Sequence, residues 1–339
     1  MKELNCTEIF PGDIIISRLP EPTGRACILP EFSTRMITAV DCTIARVSKS
    51  VSAEFIVQYL STQTYFKYIQ SRLAGGTRQR ISRKNLADFN TFIPALEEQK
   101  EIGLVFNYLD SLIALYDRKL KLLSQVKKYF LDNLFAEKEY PNLRFKGFTD
   151  AWEQRKIKDY ANYRRGSFPQ PYGKKEWYGG NDSMPFVQVV DVKENLHLAD
   201  HTKQRISKLA QPKSVFVPAG EVLVTVQGSI GRVAITQYPS YIDRTLIVFE
   251  KYNTRTDKYF WAYTLQRKFE MEKRKAPGGT IKTITKKALS DFSIPITNYE
   301  EQGYLGTFFL KVDKLLTLYE NKQQHLTEIK NTLLNTMFI

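Results

Sequence analysis

Cysteine, histidine and tryptophan are scarce in this chain, at three of each in 339 residues. Cys6, Cys27 and Cys42 are an odd set in one region without metal-ligand spacing. That usage argues against a disulfide framework and fits a reducing, cytoplasmic setting. His197 and His201 are four apart with Asp200 between them, but Asn195, Leu196 and Leu198 around them suggest a turn or strand. No third ligand is evident, so no metal is expected. No run of about 18 apolar residues occurs, so no membrane span is expected, and Met1 to Cys6 lack the apolar core of a signal peptide. Catalytic signatures are missing too. There is no Gly-x-x-x-x-Gly-Lys-Ser/Thr loop, no Gly-x-Gly-x-x-Gly after a strand, and no Pro-Pro of the amino-methyltransferase motif. No Pro-Asp pair precedes a Glu-x-Lys, and Glu98-Gln99-Lys100, at the start of a long helix, reads as solvated.

Proline and glycine are also absent from two long stretches, and these organise the chain. One runs from Glu97 to Phe135 and the other from Glu300 to Phe338, at a constant offset of 203 residues. Each opens Glu-Glu-Gln, and neither contains glycine or proline after Gly103 or Gly306. Apolar residues recur at steps of three and four, through Phe106, Leu109, Ile113 and Tyr116 in the first copy and Phe309, Val312, Leu316 and Tyr319 in the second. This is coiled-coil spacing. Each copy should be one helix about 60 Å long. A period near 200 residues marks a duplicated domain, because solenoid repeats have periods of about 20 to 50 residues.

The net charge of +14 is unevenly placed. Residues 1–96 carry +4, residues 97–140 carry −1, residues 141–299 carry +12 and residues 300–339 carry −1. Basic domains on neutral helices are the electrostatic footprint of a nucleic-acid binder.

The two units share an order of elements. Gly12-Asp13, Ile14-Ile15-Ile16, Gly24 and Ala26 to Leu29 match Gly220-Glu221, Val222-Leu223-Val224, Gly231 and Val233-Ala234-Ile235. Both sets read as β structure. Residues 53–73 and 256–275 read as helices ending at Gly75-Gly76-Thr77 and Gly278-Gly279-Thr280. A basic loop follows each pair, with Arg78, Arg80, Arg83 and Lys84 in the first and Lys282, Thr283, Lys286 and Lys287 in the second. Ser82 and Thr285 are plausible N-caps of a short helix. Paired glycines admit a phosphate to the backbone and the cations would neutralise it. A helix C-cap followed by a solvated charged turn fits the same residues. Between Arg164 and Gln188, basic, aromatic and amide residues alternate, which suits phosphate and base-edge contacts and is also ordinary for a loop-rich β domain.

The junction Leu143 to Lys156 (LRFKGFTDAWEQRK), with the repeated Glu-Glu-Gln helix, resembles the specificity subunit of type I restriction-modification enzymes. The resemblance covers the whole chain. It implies an α+β chain with two target recognition domains, each reading one half of a bipartite double-stranded DNA site. The two long helices would pair antiparallel as a coiled-coil spacer and dock methyltransferase subunits, to which motor-endonuclease subunits attach. S-adenosylmethionine, ATP and Mg²⁺ would belong to those partners, with none in this chain. The region matching Asp150 to Ala219 would also precede Gly12, where only 11 residues stand, so a truncated first domain is expected.

The expected organisation is a first recognition domain at 1–96, a spacer helix and linker at 97–140, a second recognition domain at 141–299 and a second spacer helix at 300–339. Candidate phosphate contacts are Arg164, Arg165, Lys174, Lys175, Arg232, Lys282, Lys286 and Lys287, with Gln170, Tyr172, Trp177, Gln188 and Gln227 as base-edge or stacking candidates. A fused restriction or methylation enzyme is opposed by the absent motifs. A coiled-coil adaptor or inactive remnant without DNA binding is opposed by the +12 domain.

Overall fold

The computed structural model describes residues 7–19, 22–38, 41–193, 195–275 and 283–338. The glycine pair at 278–279 and Lys282 lie outside these residues. The chain forms two units, Met1–Lys121 with Leu318–Ile339, and Leu122–Thr317.

The first unit contains β1 (Glu8–Ile9), β2 (Ile14–Ser17), β3 (Ala26–Ile28), β4 (Met36–Ile37), β5 (Cys42–Ala45), α1 (Ala53–Tyr59), α2 (Gln63–Ser71), α3 (Arg83–Ala87) and the start of α4 (Leu96–Leu134). β3, β2 and β5 make an antiparallel sheet, and β1 pairs with β4. Ile14 and Ile16 point inward onto Leu60, Tyr65, Ile69 and Ile81. Where the sequence suggests one helix over 53–73, there are two. The Thr62 hydroxyl accepts the Tyr65 N–H at 3.3 Å and starts a new helix, which ends at Ser71 before the glycine pair.

The second unit contains the rest of α4, then β6 (Glu153–Lys156), α5 (Ile157–Tyr160), β7 (Ala161–Arg165), β8 (Met184–Val187), β9 (Gln204–Ile206), β10 (Val215–Val217) and β11 (Val222–Thr225). It continues with β12 (Val233–Ile235), β13 (Ser240–Ile242), β14 (Leu246–Tyr252), α6 (Lys258–Lys275), α7 (Lys286–Asp291), β15 (Ser293–Ile296) and the start of α8 (Tyr299–Met337). The order β12-β11-β14 repeats β3-β2-β5, with β7 added at one edge. A second sheet, β10-β13-β8-β9, has no counterpart among the described residues of the first unit. It explains why β11 is buried throughout. Val222 and Val224 pack with Phe260 and Phe269 of α6, while Leu223 packs with Val187 and Ile242 of the second sheet. A strand buried on both faces loses the polar alternation of a half-exposed one. Ile15 of β2, the match to Leu223, is only half-buried.

The repeated Glu-Glu-Gln has a structural task. Gln99, expected to be solvated, is buried at 1% exposure. Its Oε1 accepts the Ser52 N–H at 3.0 Å and its Nε2 donates to the Pro94 carbonyl at 2.8 Å. Gln302 does the same in the second unit, accepting from Asp257 N–H at 3.0 Å and donating to Thr297 O at 2.7 Å. Each glutamine ties the foot of a long helix to the start of a domain helix. Gly103 and Gly306 make that approach possible. A Cβ on Gly103 would lie 2.9 Å from Glu54 Cβ, and one on Gly306 would collide with the Asp257 carboxylate. Gln302→Ala would leave a buried N–H and a buried carbonyl without partners, at about 1–3 kcal/mol each. Equilibrium unfolding is expected to register a loss of about 2–6 kcal/mol; less than about 0.5 would mean that water replaces the amide.

The junction 143–156 also holds the fold together. Arg144 forms a two-pronged pair with Glu301 at 2.7 and 2.8 Å. Phe145 and Phe148 pack against Tyr304 of α8, with ring centroids 5.9 and 5.5 Å away. Trp152 is buried edge-on against Phe135 and Phe260.

Candidate nucleic-acid interface

In the second unit, β7 presents Arg164 and Arg165 to opposite sides, as consecutive strand residues must. Arg164 turns to Glu250 at 2.6 Å and to the Phe216 carbonyl at 3.1 Å. Arg165 donates to the Arg244 carbonyl. Gly166 then passes so close to the Ile242 and Asp243 carbonyls that no Cβ would fit. The chain beyond it is anchored by Phe168, whose ring lies 4.7 Å from Phe186 and 5.2 Å from Tyr172.

Tyr172 is the centre of a polar constellation. The Gln188 amide donates to its hydroxyl at 2.9 Å, and the Arg244 guanidinium lies 5.2 Å from its ring centroid. Partial burial, with the Asp243 charge beside it, pushes the Tyr172 pKa up to about 12, so the hydroxyl stays protonated at neutral pH. Gln188 is held by its own backbone, whose N–H donates to Asp191 Oδ2 at 2.8 Å. Asp191, 2% exposed, also accepts the Lys203 N–H at 2.8 Å. The adjacent Val189 packs under Gly228. Next to Gly228, Gln227 bridges Thr283 in antiparallel fashion, and Ile284 N–H donates to Val226 O at 3.0 Å. Arg165, Tyr172, Gln188 and Arg244 are thus brought together, with Gln227 and Thr283 joined to them through Val189.

The other candidates are placed differently. Trp177 is buried at 5% exposure, with Nε1 donating to Pro171 O at 3.2 Å, so its ring serves the core. Lys174 pairs with Glu176 at 2.9 Å. Arg232 turns inward to the Val192 carbonyl at 3.3 Å. Gln170 and Lys175 are exposed on the loop leading to Trp177. Thr285 caps α7, accepting the Ala288 N–H at 3.1 Å, which leaves Lys286 and Lys287 exposed in its first turn. Lys286 lies 5.8 Å from the Tyr163 ring centroid. In the first unit, Ser82 caps α3 in the same way at 3.0 Å, and Arg78, Arg80, Arg83 and Lys84 are exposed around it. Two functional candidates were not foreseen, Arg244 and Lys213. Lys213 sits 5.1 Å from the Trp177 ring centroid. The polar triplet Asp243-Arg244-Thr245 between two apolar strands was the available signal.

Along the helices, Phe106 and Leu109 are buried with Phe338 in the first unit, while Ile113 is half-buried and Tyr116 lies 5.7 Å from Tyr319. In the second unit, Phe309 is buried against Phe135 and Tyr263, with Val312 and Leu316 half-buried. Contacts of α4 with α8 run antiparallel in both units.

The family model of the type I restriction modification DNA specificity domain matches residues 1–125 and 149–328. The chain belongs to that family. This specificity chain is 23% identical over 344 residues to the type I restriction enzyme MjaX specificity subunit of Methanocaldococcus jannaschii, across 96% of its own length and 77% of the relative's. Against the MjaVIII specificity subunit of the same organism it is 20% identical over 284 residues, covering 80% of this chain and 66% of the relative. Its fold is similar to that of the type I restriction-modification S subunit from M. genitalium, at TM-score 0.66, 14% identity, and 97% and 83% coverage of the two chains. A chain solved in work on assembly and conformational transition of a type I R-M system matches at TM-score 0.57 and 17% identity, covering 98% and 83%. Among the described residues no helix is long and apolar enough to cross a membrane, and no group of three or more His, Cys, Asp or Glu could hold a metal.

Proposed function

We propose that this chain is the non-catalytic DNA-specificity subunit of a cytoplasmic type I restriction-modification complex. The observation that carries the reading is the family match over both repeats, joined to a basic second domain that gathers Tyr172, Gln188, Arg165 and Arg244 on one surface. Each repeat would read one half of a bipartite duplex site. In the second, amide groups at Gln188 and Gln227 suit base edges, and exposed cations at Lys286 and Lys287 suit phosphates. In the first, Arg78, Arg80, Arg83 and Lys84 hold the corresponding place around α3.

Methyltransferase subunits would dock on the long helices, and motor-endonuclease subunits on them in turn. S-adenosylmethionine, ATP and Mg²⁺ would be bound by those partners. α4 offers a surface for docking, since Tyr108, Leu115, Leu122 and Tyr129 recur every seven residues at 66%, 44%, 62% and 56% exposure. Charge reversal at Lys286 and Lys287 tests the DNA reading. Binding should weaken for every sequence, and the slope of log K against log salt should flatten by about one for each phosphate no longer neutralised. An unchanged slope would remove this turn from the interface.

A further inference from the structure

The Tyr172 hydroxyl joins a half-buried amide to a buried carboxylate, all within the second unit. Gln188 Nε2 donates to it at 2.9 Å. Beside it is Asp243, 3% exposed, whose backbone N–H donates to the Val187 carbonyl at 3.0 Å, one residue before Gln188. Asp243 Oδ2 accepts the Thr245 hydroxyl at 2.7 Å and the Thr245 N–H at 3.3 Å. Its Oδ1 is buried, and among the described residues no group lies within hydrogen-bond distance of it. Tyr172 and Tyr178 both pack on Phe168, each with ring centroids 5.2 Å away. Burial, together with the Asp243 charge, raises the pKa of both phenols, so both hydroxyls keep their protons at neutral pH.

A carboxylate only accepts, and a buried acceptor without a partner is costly. The Tyr172 proton therefore turns to the Asp243 charge, directly or by way of the Tyr178 hydroxyl. The Tyr172 oxygen is then left to accept, so the group that faces it must donate. That fixes the Gln188 amide with Nε2 toward Tyr172 and leaves Oε1 and the second Nε2 proton for a ligand. The nearby Asp191 N–H donates to the Gln188 backbone carbonyl at 3.0 Å, so it does not need the side-chain oxygen. An acceptor beside a donor is the complement of adenine in the major groove, where N6 donates and N7 accepts. Cytosine meets the acceptor alone, through its N4 amino group. Guanine presents two acceptors, O6 and N7, and thymine presents O4, so the outward Oε1 would face another acceptor.

We infer that Asp243 sets the hydrogen-bond polarity of a relay through Tyr172 to Gln188, and that this polarity makes Gln188 a reader of amino bases, adenine above all. The inference rests on the DNA reading proposed above and names the base class that this surface recognises. Asp243 is a positioning residue, since it acts on DNA only through Tyr172 and Gln188.

Asp243→Asn tests the relay because it must reverse it. The Thr245 N–H still needs an acceptor, so the new amide puts its oxygen toward Thr245 and its nitrogen toward Tyr172. That nitrogen donates to the Tyr172 oxygen, the Tyr172 proton turns to Gln188, and the Gln188 amide flips to receive it on Oε1. Two Nε2 protons then face the base and suit guanine or thymine. The measurement is competition binding by the full chain, in complex with its methyltransferase partner. The duplexes carry each of the four base pairs at the position that Gln188→Ala relaxes. The wild type should prefer adenine or cytosine over guanine and thymine by about 5- to 150-fold, and Asp243→Asn should reverse that order. In a Tyr172→Phe background Asp243→Asn should change no preference, because the relay is already cut. Loss of a negative charge also favours every duplex alike. A uniform gain with the wild-type order kept would overturn the inference and leave the DNA reading intact, as would a reversal that persists in the Tyr172→Phe background. A wild-type preference for guanine or thymine would overturn it without any change at Asp243, so the test stands even if that variant folds poorly. If Gln188→Ala relaxes no position, the reading of DNA by this amide falls, and the relay's role with it.

Discussion

Replacing Gly231 by valine is expected to lower the melting temperature of the second unit by about 4–20 °C. Gly231 has φ +77°, and a Cβ there would lie 2.6 Å from Phe269 Cβ. Phe269 is fully buried in the main core, beside Trp261 and Leu289, and its Cβ is attached to the α6 backbone, so it cannot swing away. A β-branched residue forced into the left-handed region costs about 1–2 kcal/mol, and overpacking adds about 1–3 kcal/mol. That is a large part of a typical domain's margin of about 5–15 kcal/mol. The equivalent Gly24, at φ +93°, is more forgiving. Its Cβ would meet side-chain atoms beyond Cβ, Ile69 Cγ1 and Cγ2 at 3.0 and 3.3 Å and the Tyr65 hydroxyl at 3.3 Å. Differential scanning calorimetry of both valine variants checks the account, and a larger loss at Gly24 than at Gly231 would refute it.

Gln188→Ala is expected to cost about 1–3 kcal/mol of discrimination at one base pair, roughly 5- to 150-fold in relative affinity. Its side chain is held against the Tyr172 hydroxyl at 2.9 Å and its backbone against the buried Asp191, so the amide is already oriented before DNA arrives. Oriented groups lose less entropy on binding. Phosphate contacts are untouched, so the salt slope should stay as it is. Tyr172→Phe removes only the hydroxyl that holds the amide, and it should lose a smaller part of the same discrimination. Competition binding on duplexes differing at single positions, at one fixed salt concentration, measures both. Uniform weakening on all duplexes would place Gln188 among backbone contacts instead.

The duplicated frame was legible because helix periodicity and glycine punctuation survive in sequence. β12 lies where Val233-Ala234-Ile235 suggested, and the long helices run Leu96–Leu134 and Tyr299–Met337, one residue ahead of both suggested boundaries. The caps at Ser82 and Thr285 were equally readable, since their hydroxyls act on residues three further on. Side-chain roles were harder. Trp177 lies in a loop rich in lysine and glycine, and local composition cannot tell a stacking ring from a buried one. The second sheet supplies Phe186 and Ile206, which close over it. Gln99 sits between charged neighbours, and its burial comes from Ser52, 47 residues away. The junction that carried the family resemblance turned out to serve the fold, through Arg144 on Glu301 and Trp152 on Phe260. Arg244 escaped notice because its partner Tyr172 is 72 residues distant and meets it only through the fold.

The most direct test of the central claim is to co-express the chain with its methyltransferase partner and map methylated adenines in the host DNA. The account expects one bipartite motif with the wild-type chain. With Gln188→Ala and Gln227→Ala in the second unit, one half of that motif should relax while the other half stays unchanged. An identical motif from the wild-type and the altered chain, or the same methylation without the chain, would contradict it.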